Sequence, residues 1–368
     1  MPRKRAGVCL SSLVMALVAG ALPAAAQDGA GDPPALTPQT IRSITDQFRK
    51  HGLADAPAKP DGAVRLATYN IHDLFDADDD PALRDRNEDS GKTMTPERRA
   101  ATAHALRAIG ADILALQEVE SFDALEWYRR EALADMGYTY AASEDVGHSL
   151  GMEQGVLSRF PILATQTWAD RVIGEHPPLY RGRPNRYAGQ PMTFRRSPLM
   201  VEVGLVEEAD EADLGIIPED QRLTLLVVHA KTGDGSEAWR AAEGKAIAAI
   251  VGELTQSRPE RRIVVLGDFA VPAGEGHLAP LLNAGLTDVF AAGEVESTAG
   301  TDADATATDI DGGRNCLILL GEGVSLAEGA TPFVLGTLAP PERLDRRMAY
   351  RMPGFASDHY PVVCDLAR

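Results

Sequence analysis

Four apolar runs in this chain each stop on a side chain able to hold a cation or a phosphate. VRLATYN ends on Asn70, ADILALQEVE reaches Glu118, LTLLVVHAK reaches His229, and RIVVLGDF reaches Asp268. A fifth run, YPVVCDL, starts directly after Asp358 and His359. Helical units stand between the first and second runs and between the third and fourth. TPERRAATAHALRAIG has Thr95 as a candidate N-cap, Pro96 at the first helical position and Gly110 as its stop, with Leu106 and Ile109 on its apolar face. SEAWRAAEGKAIAAIVGELTQ places Ile247, Ile250, Val251 and Leu254 at helical spacing. Short strands alternating with helices, with no internal repeat, predict one layered α/β domain. Strand ends in such folds gather at one edge of the sheets, so these polar residues are expected to meet at a single site.

The residue types indicate its chemistry. Carboxylates with an amide suit a hard divalent cation, whereas no thiolate spacing for zinc is present. Histidines exchange protons near neutral pH, and a hard cation beside them suits phosphoester hydrolysis. Each residue alone could simply be a solvated strand end; the inference rests on the set.

In order, TYNIH, LQEVE, VVHAK, LGDF and SDHYPV closely resemble the endonuclease/exonuclease/phosphatase superfamily, over roughly Val64 to Leu366. GVLSRFPI and FRRSPLMVEV also look like the strands and arginines between its second and third motifs. The resemblance implies a DNase I-like four-layer α/β/β/α sandwich, two packed mixed β-sheets flanked by helices, with the site at one end. It implies that Glu118 binds a catalytic Mg²⁺ (Mn²⁺ or Ca²⁺ as alternatives), helped by Asn70 and supported by Asp358. Asp268 would orient or deprotonate the attacking water, His359 would act on the phosphate, and His229 would act towards the leaving group. Two positions depart from the family pattern. Gly-Asp-Phe is normally followed by asparagine, and here by Ala270, which can neither donate to a phosphate nor bind a metal. Aligned on Arg314, the aspartate that normally orients the catalytic histidine is Cys316, a weak acceptor. Asp309 and Asp311 are the neighbouring acids that could substitute for it.

The chain opens with Arg3, Lys4 and Arg5, an apolar run from Val8 to Leu22, and Ala24-Ala25-Ala26. Residues 1–26 therefore read as a signal peptide, too short in its apolar run to span a bilayer, which implies a secreted or periplasmic product. Residues 27–62 read as a spacer with one short helix, and 63–368 as the domain. Of 36 basic side chains, three leave with the signal; the remaining 33 against 54 acidic give a net charge of −21. Such a surface repels polyanions, so nucleic acid would need a local basic patch or bound cations. Six arginines between Arg171 and Arg196, among them Arg181, Arg195 and Arg196, are the candidate phosphate-receiving patch, unless they pair with neighbouring acids. DADDD (Asp76–Asp80) lacks the glycine and the twelfth-position glutamate of a calcium loop and reads as a solvated acidic loop. Cys316 and Cys364 read as two separate buried thiols.

The expectation is an exported divalent-metal-dependent phosphoesterase cleaving a phosphodiester, with nucleic acid or a phospholipid headgroup as candidate substrates. The alternatives are a catalytically degenerate member that binds a phosphorylated ligand or a protein, and a small-molecule phosphomonoesterase. No protein partner is deducible.

Overall fold

The computed structural model describes residues 37, 39–43, 49–78, 92–148, 151–174, 177, 188–207, 216–233, 235–270, 278–292, 306–309, 312–337 and 354–368. The first sheet contains β1 (Val64–Leu74), β2 (Ile113–Val119), β3 (Tyr140–Ser143) and β4 (Glu153–Ser158). The second holds β5 (Ile162–Gln166), β8 (Leu199–Gly204), β9 (Arg222–His229), β10 (Ile263–Asp268), β11 (Thr287–Asp288) and β12 (Cys316–Leu320). A small ribbon pairs β6 (Val172–Gly174) with β7 (Met192–Thr193), while β13 (Phe333–Val334) and β14 (Val362–Leu366) complete the first sheet. The strand orders are β13-β14-β1-β2-β4-β3 and β11-β12-β10-β9-β8-β5.

Each sheet is mixed in the same way. β1 and β2 run parallel, as do β9 and β10, while the other ladders are antiparallel. A parallel pair needs a crossover, and the two long helices supply it: α1 (Pro96–Ile109) and α3 (Glu237–Ser257). The Thr95 side chain accepts from the Arg98 N–H, and Gly110 closes α1 in the left-handed region, as the sequence led one to expect. Alternate residues of both sheets, including Leu66, Ile113, Val156, Leu225, Val264 and Ile318, form the inter-sheet core. The opposite face of the first sheet packs under α1 and α2 (Phe122–Ala132), through Leu106, Ile109 and Leu125. The second sheet is covered by α3, through Ile247, Ile250 and Val251. The result is the expected α/β/β/α sandwich.

Upstream of residue 63, the Leu53 N–H donates to the Val334 carbonyl and the Leu53 carbonyl accepts from the Gly336 N–H, so packing against the first sheet begins before β1. Gly267 must be glycine: its φ is +136°, and a Cβ there would lie 2.0 Å from the Val228 carbonyl oxygen. Among the described residues no helix is long and apolar enough to cross a membrane.

Candidate active site

Register and alternation bring the strand ends together. Asn70 lies opposite Gln117 across the β1/β2 ladder, Asp268 opposite His229 across β10/β9, and Cys316 opposite Asp268 across β12/β10. Asn70 follows Leu66 at even spacing, Asp268 follows Val264 and Leu266, and His229 follows Leu225 and Val227, all core residues between the sheets. All three therefore point into the inter-sheet space at one edge. There the Asn70 amide donates to Asp268 Oδ2 at 3.0 Å and to Glu118 Oε1 at 3.2 Å, joining the two sheets.

Simple alternation would send Glu118 to the outer face, since Ile113 and Ala115 point inward. A bulge prevents this. Both ladders of β2 slip beside Glu118, whose φ is 65°, and the local turn re-aims its carboxylate into the site. β1 bulges opposite it, with His72 and Asp73 both at φ 58°. The carbonyls this takes off the ladder are gathered by one buried side chain: the Arg98 guanidinium donates to the Ile71, His72 and Asp73 oxygens. The bulge places His72 Nδ1 2.8 Å from Asp358 Oδ1 and 3.8 Å from Glu118 Oε2, while the Asp73 N–H donates to Glu118 Oε2 at 3.2 Å.

Three carboxylates thus stand around the His72 imidazole, Glu118 and Asp358 at its Nδ1 and Asp73 Oδ2 3.8 Å from its Nε2, and ligand atoms of His72, Asp73 and Glu118 all lie within 4.8 Å of one another. Burial pushes the Glu118 carboxyl up, and Asp73 and Asp358 add to this against the opposing His72 and His359. For His72, burial acts downward, but Asp358, Glu118 and Asp73 outweigh it and hold the imidazole above its usual value. Carboxylates that hold a neighbouring imidazole above its usual value fit a hard divalent cation. Asn70 presents nitrogen to Glu118 and Asp268, and its oxygen accepts from the His72 N–H at 3.0 Å. In this arrangement its nitrogen orients the two carboxylates, and its oxygen keeps a second lone pair beyond the His72 contact.

The two remaining histidines are driven apart. Burial, with Arg196 next, drives His229 well below the usual imidazole value; its Nε2 lies 3.6 Å from Glu118 Oε1. Burial also opposes charging of His359, but Asp268, Cys316 and Asp358 overcome it and raise this imidazole well above normal. His359 Nε2 lies 3.7 Å from Asp268 Oδ2 and 3.9 Å from Asp358 Oδ1. A neutral and a charged imidazole on either side of one carboxylate cluster can serve different proton-transfer roles.

Cys316 does face His359, with Sγ 3.6 Å from Nδ1. Asp309 pairs with His359 across an isolated antiparallel bridge and its carboxylate accepts from the Asn315 side chain at 3.2 Å, while Asp311 lies outside the described residues. Ala270 adopts φ 59°, and its N–H donates to Asp268 Oδ1 at 2.7 Å. Cys316 and Cys364 are free and buried.

The arginines divide. Arg171 forms a surface pair with Glu253 at 2.5 Å. Arg195 lies over the Trp239 ring at 6.0 Å. Arg196 stands beside the site: burial lowers its pKa, opposed by the fields of Glu118, Asp268 and Glu243. Arg181, like Arg183 and Arg186, lies outside the described residues. In the acidic loop the Asp78 N–H turns back onto Asp76 Oδ1 at 2.7 Å; Asp79 and Asp80 lie outside the described residues.

Sequence reasoning passed over His72, Asp73, Arg98 and Ser357. The Ser357 hydroxyl donates to the Asn70 carbonyl at 2.7 Å and accepts from the His359 N–H at 3.1 Å, locking the Ser-Asp-His turn onto β1. The available signal was proximity in sequence, since Ser357 precedes Asp358 and His72 and Asp73 follow Asn70 by two and three positions. Arg98 carried none, because a buried arginine in the first turn of a helix reads like an exposed one.

Two packed mixed sheets, helices outside, and a carboxylate–histidine cluster at one sheet edge define a protein of the DNase I-like α/β/β/α class. The pattern of the Endonuclease/Exonuclease/phosphatase family matches residues 67–359, and the chain belongs to that family, whose members are generally metal-dependent phosphoesterases. Among solved structures, an endonuclease/exonuclease/phosphatase from Bacteroides vulgatus is similar at 16% identity and a TM-score of 0.51, over 83% of this chain and 98% of that one. The human Nocturnin catalytic domain with bound sulfate is similar at 16% identity and a TM-score of 0.50, over 83% and 93%. At such identity the likeness concerns the fold. No curated protein sequence matches the chain.

Proposed function

We propose that this site hydrolyses a phosphodiester with the help of a divalent cation, and that the protein acts after export, its first 26 residues serving as a signal peptide. The observation that carries the reading is the meeting of Asn70 and Glu118 from one sheet with Asp268 and His229 from the other, bridged by one amide. Glu118 and Asp358 would hold the cation, with Asp73 beside them; Mg²⁺ suits this oxygen-rich donor set, with Mn²⁺ and Ca²⁺ as alternatives. When bound, such a cation supplies Lewis-acid polarisation of the phosphoryl oxygen. Asp268, fixed by the Asn70 amide and the Ala270 N–H, orients or deprotonates water. His359, held charged, donates to a phosphoryl oxygen. His229, neutral at pH 7, lies where the departing alkoxide can be met by a hydrogen bond. Water adds to phosphorus, one ester P–O bond breaks, and the alcohol leaves with a proton. Arg196 is the described arginine placed to attract the phosphate; Arg195 and Arg181 are held to be accessory.

A second reading, a binding protein with little turnover, is favoured by the two departures. Ala270 ends at Cβ where the family has an amide, and Cys316 meets His359 at 3.6 Å with a poor acceptor. One assay separates the readings. Bis-nitrophenyl phosphate, mononitrophenyl phosphate, DNA, RNA and sphingomyelin are offered to the chain lacking residues 1–26 with Mg²⁺, Mn²⁺ or Ca²⁺, beside Glu118→Gln. Diester hydrolysis lost in the variant supports the enzyme; equal residual rates in both proteins refute it.

A further inference from the structure

Where the family aligns an acid with its catalytic histidine, this chain aligns a thiol, and the exchange changes which metals the edge of the second sheet can hold. We propose that Cys316, His359 and Asp268 form a second cation site, selective for a thiophilic divalent metal of the Zn²⁺ type and separate from the carboxylate cluster around Glu118. One ligand atom from each of the three lies within 4.8 Å of one from each of the others. The contact between Cys316 Sγ and His359 Nδ1 is 3.6 Å. With Zn–S near 2.3 Å and Zn–N near 2.0–2.1 Å, two ligands of a tetrahedral ion stand about 3.5 Å apart, so this edge already has the required length. Cys316 and Asp268 are direct ladder partners, which puts their side chains on one face of neighbouring strands.

The supporting contacts also suit this role. If Nδ1 takes the metal, Nε2 remains directed at Asp358, 3.9 Å away, and a carboxylate on the far nitrogen is the usual support of a metal-binding imidazole. Asp268 is steadied by the Asn70 amide and the Ala270 N–H, and the Cys316 N–H donates to Thr308 Oγ1 at 2.9 Å. The ligands thus come from two strand ends and one anchored turn, a rigid frame. Cys316 and Asp268 are buried, while the His359 side chain is 12% exposed and marks the way in. Three protein ligands leave a fourth position open to water or a phosphoryl oxygen. Thiolate, imidazole and carboxylate together favour Zn²⁺ over Mg²⁺, which prefers oxygen. Binding releases the thiol proton to solvent. The site escapes any reading of sequence spacing, because its ligands lie on three distant segments. It also has a consequence that rests on the hydrolytic reading: metal held here engages Asp268 and His359, so Zn²⁺ would suppress a reaction that Mg²⁺ supports.

Co²⁺ titration tests the site without reference to activity. The purified chain lacking residues 1–26, reduced and free of metal, is expected to develop a thiolate-to-cobalt charge-transfer band and tetrahedral d–d bands, both erased by one equivalent of Zn²⁺. The bands should vanish in Cys316→Ser and in His359→Ala and persist in Cys364→Ser, with zinc affinity in Cys316→Ser at least about tenfold weaker. Absence of the bands in the wild-type protein, or their survival in both folded variants, overturns the site. Loss in Cys364→Ser alone would assign the thiolate to Cys364 and also overturn it. A failed Mg²⁺-dependent hydrolysis assay would remove the suggested inhibition and leave this result untouched.

Discussion

Ala270 offers the sharpest quantitative test of the site's backbone. Its φ of 59° lies in the left-handed region, where an L-residue with a plain Cβ costs about 1–2 kcal/mol. Asparagine tolerates that region because its short amide bonds locally, and glycine has no Cβ to strain, although it adds about 0.5–1 kcal/mol of backbone entropy to the unfolded chain. Ala270→Asn should therefore stabilise the protein by roughly 1 kcal/mol, Ala270→Gly by about half of that, and Ala270→Val should destabilise it. For a domain of this size, with unfolding entropy near 2.1 cal/mol/K per residue, 1 kcal/mol corresponds to about 1–2 °C in Tm. Calorimetry or urea titration of the four proteins gives the ranking Asn, Gly, Ala, Val. The Asn variant should also hydrolyse bis-nitrophenyl phosphate faster, and paired with Cys316→Asp by at least about tenfold, towards the 10²- to 10³-fold worth of a preorganised donor. An alanine protein as stable as both the Asn and Gly variants would refute the left-handed geometry. Unchanged rates in the double variant would refute the assignment of these positions to phosphate and histidine contacts.

Three further outcomes follow from particular contacts. Gly267→Ala drives a Cβ into the Val228 carbonyl at 2.0 Å, so the β9/β10 ladder should part and urea stability fall by several kcal/mol; a loss under about 1 kcal/mol would contradict the packing. Arg98→Met should leave the bulge carbonyls short of donors, costing on the order of 2–3 kcal/mol and weakening cation binding; unaltered Mn²⁺ affinity would detach the bulge from the site. Glu243, buried and accepting from the Lys231 N–H, has its carboxyl pushed from 4.5 to about 7 by burial. A raised carboxyl binds its proton more tightly when folded, so the stability it lends is full below about pH 4.5 and is lost as pH rises through 7. Urea midpoints should accordingly fall between pH 5 and pH 8 by an amount on the order of 3 kcal/mol that Glu243→Gln removes. An identical decline in the variant would place the burial elsewhere.

The fold was legible because its signals are local. Thr95, Pro96 and Gly110 mark α1 at both ends, and the apolar strands carry their polar residue at the edge that parallel pairing later aligns. The site was legible in membership more than in geometry. Alternation places Asn70, His229 and Asp268 correctly, but it would turn Glu118 outward; only a left-handed bulge brings its carboxylate in, and no residue type announces that conformation at glutamate. His72 and Asp73 stayed hidden for the same reason, since the bulge that presents them is held by Arg98 across 26 and 25 residues of chain. Arg171 shows the opposite case: its charge suggested a phosphate, and its geometry gives it to Glu253.

The central claim is that carboxylates at the edge of the first sheet, Glu118 and Asp358 with Asp73 beside them, hold one hard cation. Mn²⁺ binding followed by electron paramagnetic resonance, in the wild-type chain lacking residues 1–26 and in Glu118→Gln, measures it directly. One tightly bound ion displaced by Mg²⁺ in the wild type, and lost or weakened at least tenfold in the variant, is the expected result; equal affinity in the two proteins would contradict it.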